Sequence, residues 1–495
     1  MASKPTTRWQ VSGYRFLVRR MEHALVRRDV RMLHDPMRSQ SRAYAVGLVL
    51  ACVVLAGCGV LALLRPQDKI GNNKILIGKD SGAVYVVIDD VVHPALNIAS
   101  ARLAAGDAAK PAIVKESELG KKARGQLIGI PGAPGSLHFD KDGKGRAWTV
   151  CDTLQLDGTN KATTSVLIGD LDLGDKAAAM PRDRAMLVQS RSATYLIYDN
   201  KRARVDTRTN AVTDALGIRG ATPRPISDGL INAIPEVQPI EPPRIDDPGA
   251  TPSYPIGDHK VGEVVQETGT QQHYVVLLDV LQPISPLTAA IIRNANPGAT
   301  RNPKIEPYER TAANVASRLP VQDYPETAPT LVQAKDRRVS CLSWKPITAT
   351  SRDAGGGNLA ELAIITGVDL PMPSDVRLVP LAQADDNGPA VDSVYFKPGS
   401  GAFVQTTGIE PDSRRRDSFF YVSDTGVRYG VKDVESVKAL GMSSDSGVKQ
   451  PEPAPWNIVG LLATGPSLGR QDAMVAHDGV APDPNPAKDL VKSQN

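Results

Sequence analysis

The chain has 495 residues, with 58 Lys or Arg against 54 Asp or Glu and only 4% aromatic residues. Ten of the basic residues and three of the acids fall within residues 1–42. The remaining 48 basic and 51 acidic residues nearly balance, so the overall charge of +4 is an N-terminal property and argues against a nucleic-acid-binding body. With 42 Gly and 39 Pro, that body reads as a modular, loop-rich chain of two or more packed units rather than one dense globule.

The first element in chain order is a basic amphipathic helix from Ser12 to about Leu33. Leu17, Val18, Met21, Leu25 and Met32 recur at helical spacing among Arg15, Arg19, Arg20, Arg27, Arg28 and Arg31. The candidate docking residues are Arg15, Leu17, Arg19, Arg20, Met21, Leu25, Arg27 and Arg28. They suit anionic headgroups or a partner subunit. The alternative is a charge cluster that only sets membrane orientation.

Residues 43–64 are 22 positions without a charge. At about 1.5 Å per residue they reach roughly 33 Å, enough to cross a hydrocarbon core. The basic excess before them and its near-absence after them place the N-terminus in the cytoplasm and residues 65–495 outside. Leu55-Ala-Gly-Cys58 resembles a lipoprotein cleavage box, but some 42 residues precede the apolar run, far more than a signal peptide carries.

Four segments of the body look alike: residues 82–103, 193–217, 273–292 and 418–441. Each begins as a β-rich run, reverses at an Asp-containing turn and continues as a second strand. A short helix then starts behind a small polar residue such as Ser285 or Asp433, and can end at Gly217 or Gly441. Such units are too small to bury an apolar face alone and must pack on something. The strand-like runs between them are Leu127–Ile130, Trp148–Asp152, Ser165–Ile168 and Ala185–Gln189 in the first half. The second half has Arg338–Trp344, Leu362–Thr366, Val391–Phe396 and Ala402–Thr406.

The expected class is α+β, with four repeats around a β-rich core of quasi-two-fold symmetry. The boundaries follow as 1–42 cytoplasmic helix, 43–64 span, 65–120 repeat 1, 121–190 first half-core and 191–233 repeat 2. Then come a Pro-rich linker at 234–257, repeat 3 at 258–329, the second half-core at 330–410 and repeat 4 at 411–445. A Pro-rich tail, 446–495, closes the chain, its apolar stretch Trp456–Leu462 docking and the rest extended.

Cys52 and Cys58 lie in the span, leaving Cys151 and Cys341 outside. Two cysteines in an oxidising compartment most simply form one disulfide, here joining the two half-cores. Two free buried thiols are the alternative.

Chemistry is scarce. There is no phosphate-binding loop, and the Gly-rich runs 129–135 and 140–145 open no helix with Lys-Ser/Thr. The seven histidines (His23, His34, His93, His138, His259, His273 and His477) have no metal-ligand spacing. Gly465-Pro-Ser-Leu-Gly469 fits the letters of a nucleophile elbow, but Pro466 precedes the Ser in a Pro-rich tail, so a plain turn is expected. No cofactor, metal or catalytic residue is assigned, and a scaffold is favoured over an enzyme.

Residues Gln10–Met32, Asp35–Arg38 and the span resemble EccB, a core component of mycobacterial type VII (ESX) secretion. So do His93–Leu103, Gly129–Gly135, Trp148–Thr153, Gly426–Val431 and Val475–Asp478. The resemblance implies an inner-membrane, single-pass subunit with a periplasmic body of four repeats around a disulfide-bearing core. It further implies assembly with EccC, EccD, EccE and the mycosin protease, and self-association around a secretion pore. Some family members are described as ATPases, which no motif here supports. A nucleotide-hydrolysing component and a cell-wall-binding module are the alternative functions.

Overall fold

A computed structural model describes residues 7–31, 36–64, 70–138, 145–158, 161–191, 193–296, 303–347, 359–385, 388–442 and 451–480. The chain divides into two units, one ending at Lys69 and one beginning at Ile70.

In the first unit, α1 spans Arg8–Arg27 and α2 spans Pro36–Leu64. The helix expected at 12–33 thus begins earlier, because Thr7 and Gln10 form a capping box that satisfies the first turn. It ends earlier too: Arg28 adopts a left-handed conformation (φ 56°) and its N–H closes on the Ala24 carbonyl. Met32 and Leu33 lie outside the described residues. α2 likewise starts before the expected 43, and its membrane-length apolar stretch is Ser39–Leu61, with Cys52 and Cys58 exposed along it.

The second unit opens with β1 (Ile75–Gly78), β2 (Val84–Ile88) and β3 (Val91–Ala95), an antiparallel meander. α3 (Ile98–Ala105) leads to β4 (Ala112–Val114), and α4 (Glu116–Leu119) to β5 (Leu127–Ile128). β4 pairs parallel with β1 and β5 parallel with β3. Three strands of a central sheet follow: β6 (Trp148–Leu154), β7 (Ala162–Ile168) and β8 (Ala177–Ala179).

The second small sheet runs β9 (Arg184–Gln189), β10 (Thr194–Tyr198), β11 (Lys201–Val205), α5 (Asn210–Ala215), β12 (Arg224–Pro225), α6 (Asp228–Ala233) and β13 (Glu236–Ile240). The third runs β14 (Val264–Glu267), β15 (His273–Val276), β16 (Leu281–Ile284), α7 (Pro286–Ala295), β17 (Lys304–Ile305) and α8 (Pro307–Ala312). β18 (Thr330–Leu331) then joins β9.

The central sheet resumes with β19 (Val339–Pro346), β20 (Ala360–Gly367), β21 (Val379–Pro380) and β22 (Ser393–Phe396). Its order is β21-β22-β7-β6-β19-β20-β8. The fourth small sheet comprises β23 (Gly401–Thr407), β24 (Phe419–Ser423), β25 (Val427–Val431), α9 (Val434–Leu440), β26 (Glu452–Pro455), α10 (Trp456–Val459) and β27 (Ala463–Thr464). Finally, α11 (Arg470–Ala473) leads to β28 (Ala476–His477), which pairs with β5.

The four small sheets share one connectivity. Each is a three-stranded meander, a helix, a strand returning parallel to the first, and a second helix. The next segment then lies parallel to the third strand: β5 on β3, β13 on β11 and β27 on β25. In the third sheet this place is held by a single bridge, Leu281 to Val315. Local chemistry explains the meanders. Asp89-Asp90 and Asp199-Asn200 all take positive φ, the two-residue turn that matches strand twist. Asn97, Ser285 and Asp433 accept the N3 amide of α3, α7 and α9, and Gly106 and Gly441 close α3 and α9 in left-handed geometry. Asp433→Ala removes one such cap and should lower stability by about 1 kcal/mol, read as a shifted denaturation midpoint.

Several assignments change. Leu127–Ile130, Ala185–Gln189 and Ala402–Thr406, expected in the half-cores, supply β5, β9 and β23 of the small sheets. A fully buried strand shows no alternation that would name its sheet. The 234–257 linker contains β13, and the part of the tail expected to be extended supplies β26, β27, α11 and β28, while the stretch expected to dock forms α10 and buries Ile458, Val459 and Leu462. Proline is tolerated in β26 and β13 because both strands lie at a sheet edge.

Packing joins the sheets in pairs. Ile75, Val86 and Leu103 of the first share a core with Tyr421, Val431 and Leu440 of the fourth. Leu196 and Val205 of the second pack with Val264, Val275 and Ile291 of the third. One face of the central sheet, with Trp148, Leu342 and Trp344, buries residues of the second and fourth sheets, including Ile197, Val404 and Ile458.

Candidate interaction surfaces

α1 carries its chemistry on separate faces. Tyr14, Leu17, Val18, Met21 and Leu25 follow three- and four-residue steps and therefore line one side. Leu17, Met21 and Leu25 are 57%, 62% and 81% exposed, an apolar stripe open to a partner. Arg8, Arg15 and Arg19 form a row on one flank, and Arg20 and Arg27 another. Arg27 and Arg28 stand at the carboxyl end, where the helix dipole favours positive charge. All eight candidate residues are thus on or directly after one helix, Arg28 as its cap.

The other predicted residues meet at the middle of the central sheet. β6 and β19 pair antiparallel, with Cys151 directly opposite Cys341, and the two form a disulfide. It lies on the second face of the sheet, packed with Leu167, Val339 and Ile365.

The next residue, Asp152, was not singled out by sequence reasoning, although a carboxylate inside Trp148–Leu154 was its signal. It is 1% exposed. Its carboxylate accepts the Ser227 N–H and hydroxyl, each at 2.7 Å, and the Thr164 hydroxyl at 3.0 Å. Burial pushes its carboxyl up to about 6 against the opposing pull of those donors and of Arg224. Ser227 caps α6 through the Leu230 N–H, at 3.0 Å. Arg224 donates to the Arg337 and Arg338 carbonyls at 2.9 and 3.1 Å, and burial lowers it to about 10. Asp392, in the same layer, accepts the Thr164 and Asp385 N–H groups. These groups are saturated by their own chain, so the cluster ties the second small sheet to the central one rather than offering a reactive centre.

Ser467 is exposed on an extended stretch between β27 and α11, and the adjacent Leu468 bridges to Val431. No strained strand-to-helix turn presents it, as a nucleophile elbow requires. Among the described residues no three His, Cys, Asp or Glu side chains group as a metal would need.

Among the described residues one helix is long and apolar enough to cross a membrane; with a basic amphipathic helix before it and a disulfide-pinned α+β body after it, the chain has the make-up of a membrane-associated, multi-surface protein. The family model for the type VII secretion system ESX-1 transport TM domain B, EccB, matches residues 3–482, and the chain belongs to this family. It is 41% identical to the ESX-3 secretion system ATPase EccB3 of Mycolicibacterium smegmatis, across 97% of this chain and 93% of that protein. It is 35% identical to the ESX-1 secretion system ATPase EccB1 of Mycobacterium tuberculosis, across 99% and 98%. Among solved structures, a chain of an intact ESX-5 inner membrane complex matches with a TM-score of 0.74 and 32% identity over 99% of both chains. A chain of an EccB3 dimer from the ESX-3 core complex matches with a TM-score of 0.69 and 37% identity, over 82% of this chain and all of that one.

Proposed function

We propose that this chain is a structural subunit of a type VII secretion membrane complex, linking the inner-membrane machinery to the periplasm. One observation carries the reading: its end-to-end likeness, over 99% of both chains, to a subunit of an intact ESX-5 inner membrane complex. The charge asymmetry across the span supports a cytoplasmic N-terminus and a periplasmic body. Self-association through that body is supported by the dimer formed by the ESX-3 relative. EccC, EccD, EccE and the mycosin protease are the further partners this reading implies.

In this reading α1 docks on those partners and on anionic headgroups, where each basic side chain near the surface contributes about 1 kcal/mol. Residues 28–35 join α1 to α2 and, at about 3.5 Å each, keep α1 within roughly 28 Å of the span. The shared strand order of the four small sheets supports four copies of one unit. The antiparallel pairing of β6 with β19, flanked by the hairpin partners β7 and β20 in the order β7-β6-β19-β20, supports a quasi-two-fold axis between β6 and β19.

The test is Leu17→Glu, Met21→Glu and Leu25→Glu together. Native gels of membranes should show the variant absent from the large complex while the Cys151–Cys341 bond still forms. An unchanged complex would remove α1 from the assembly role. The name ATPase carried by relatives favours one rival reading, nucleotide hydrolysis. It predicts turnover by the purified chain that a single substitution abolishes, and the absence of turnover would end it.

A further inference from the structure

The start of β20 has a partner on one side only. β19 pairs with every residue from Ala360 to Gly367, whereas β8 covers only Ile365–Gly367 on the opposite side. Strand parity decides which backbone groups face the uncovered side. Ile364 turns both of its groups there: its N–H donates to Asn200 Oδ1 at 2.8 Å and its carbonyl accepts the Met180 N–H at 2.7 Å. Ala360 turns its N–H the same way, to the Pro411 carbonyl at 3.0 Å. Leu362 sits midway between these capped residues, so its N–H and C=O also point away from β19. They open into a groove of about 450 Å³, whose far wall is the Asn200–Lys201 hairpin and Val237 of β13.

We propose that this groove binds an extended peptide segment bearing basic side chains, which adds one hydrogen-bonded residue pair to β20 at Leu362. An exposed strand edge with a donor and an acceptor at strand spacing is the template for such addition. Apolar Pro235 and Val237 line the groove and give the peptide a surface to cover. Charge selects the partner. Lys201 is committed to Asp323 at 3.1 Å, and Lys345, opposite Glu361 on β19, to Asp170 at 2.9 Å. Glu361 remains exposed, without an ion pair among the described residues. This site lies within the second unit and stands independently of the secretion reading.

The probe is an acetylated pentapeptide of alternating lysine and valine, titrated by fluorescence anisotropy against the full-length protein in nanodiscs. The peptide should bind and slow hydrogen exchange at the Leu362 amide, leaving the already capped Ile364 amide unchanged. The same peptide N-methylated along its pairing edge should not bind. Glu361→Lys, at an exposed position, should weaken binding about fivefold, the scale of a surface ion pair reversed. Failure of the plain peptide to bind, equal binding of the methylated peptide, or protection confined to another segment overturns the proposal. Unchanged affinity in E361K overturns its choice of a basic ligand.

Discussion

With Cys151 and Cys341 both replaced by alanine, the body should lose about 5 kcal/mol of unfolding free energy. The bond closes a loop of 190 residues, and removing such a cross-link frees that much chain entropy in the unfolded state. The bond lies inside the layer formed by β6 and β19, whose registered residues run from Trp148 to Thr153 and Val339 to Trp344. Those strands carry the core that also holds the second and fourth small sheets. The loss should therefore appear as a lower denaturant midpoint for the whole body rather than as local fraying. Thiol reductant should reproduce it in the native protein and leave the double variant unmoved. A midpoint shift worth less than about 1 kcal/mol would show that the sheet contacts alone carry the register.

Asp152 should make the same region sensitive to pH, in the direction opposite to an ordinary ion-paired carboxylate. Its folded value is raised from 3.8 to about 6, so the folded state holds the proton more tightly than the unfolded state. The stabilisation is fully present below about 3.8 and is lost as pH rises through about 6. Two pKa units correspond to about 3 kcal/mol. Relative to Asp152→Asn, which does not titrate, the native protein should therefore lose about 3 kcal/mol between pH 4 and pH 7. Parallel pH curves for the two proteins would sink this account. Asp152→Ala should be worse than Asn at every pH, because the Ser227 and Thr164 donors lose their acceptor inside the core. That cost is about 3 kcal/mol or more, read from the same denaturation curves.

The two predictions rest on neighbouring residues of one strand, and only one of them was legible beforehand. Cys151 and Cys341 announced themselves by composition, as the two cysteines outside the span. Asp152 acquires its role from Ser227 and Thr164, which reach it only when α6 and β7 are folded against β6. The same divide runs through the fold. The Asp turns at Asp89 and Asp199 and the caps at Ser285 and Asp433 act within a few residues of themselves, so their chemistry can be read locally. The returning strands β4, β12 and β17 are two or three residues long. Strands that short have no periodicity and exist only because a neighbouring strand offers hydrogen bonds. β9 and β23 are longer, six and seven residues, but almost wholly buried, so no alternation in them names the sheet they join.

The sequence by itself determined the span, the basic helix before it and the near-neutral body after it, because hydrophobic length and charge act without any partner. It also determined the local hairpin-and-helix signature, through turn and cap chemistry. Only the tertiary structure decided which strands share a sheet, that the Pro-rich tail is woven into two of them, and that Leu362 faces an open groove. Those outcomes depend on pairing between residues far apart in the chain, and a backbone amide carries no mark in the sequence of the partner it will meet.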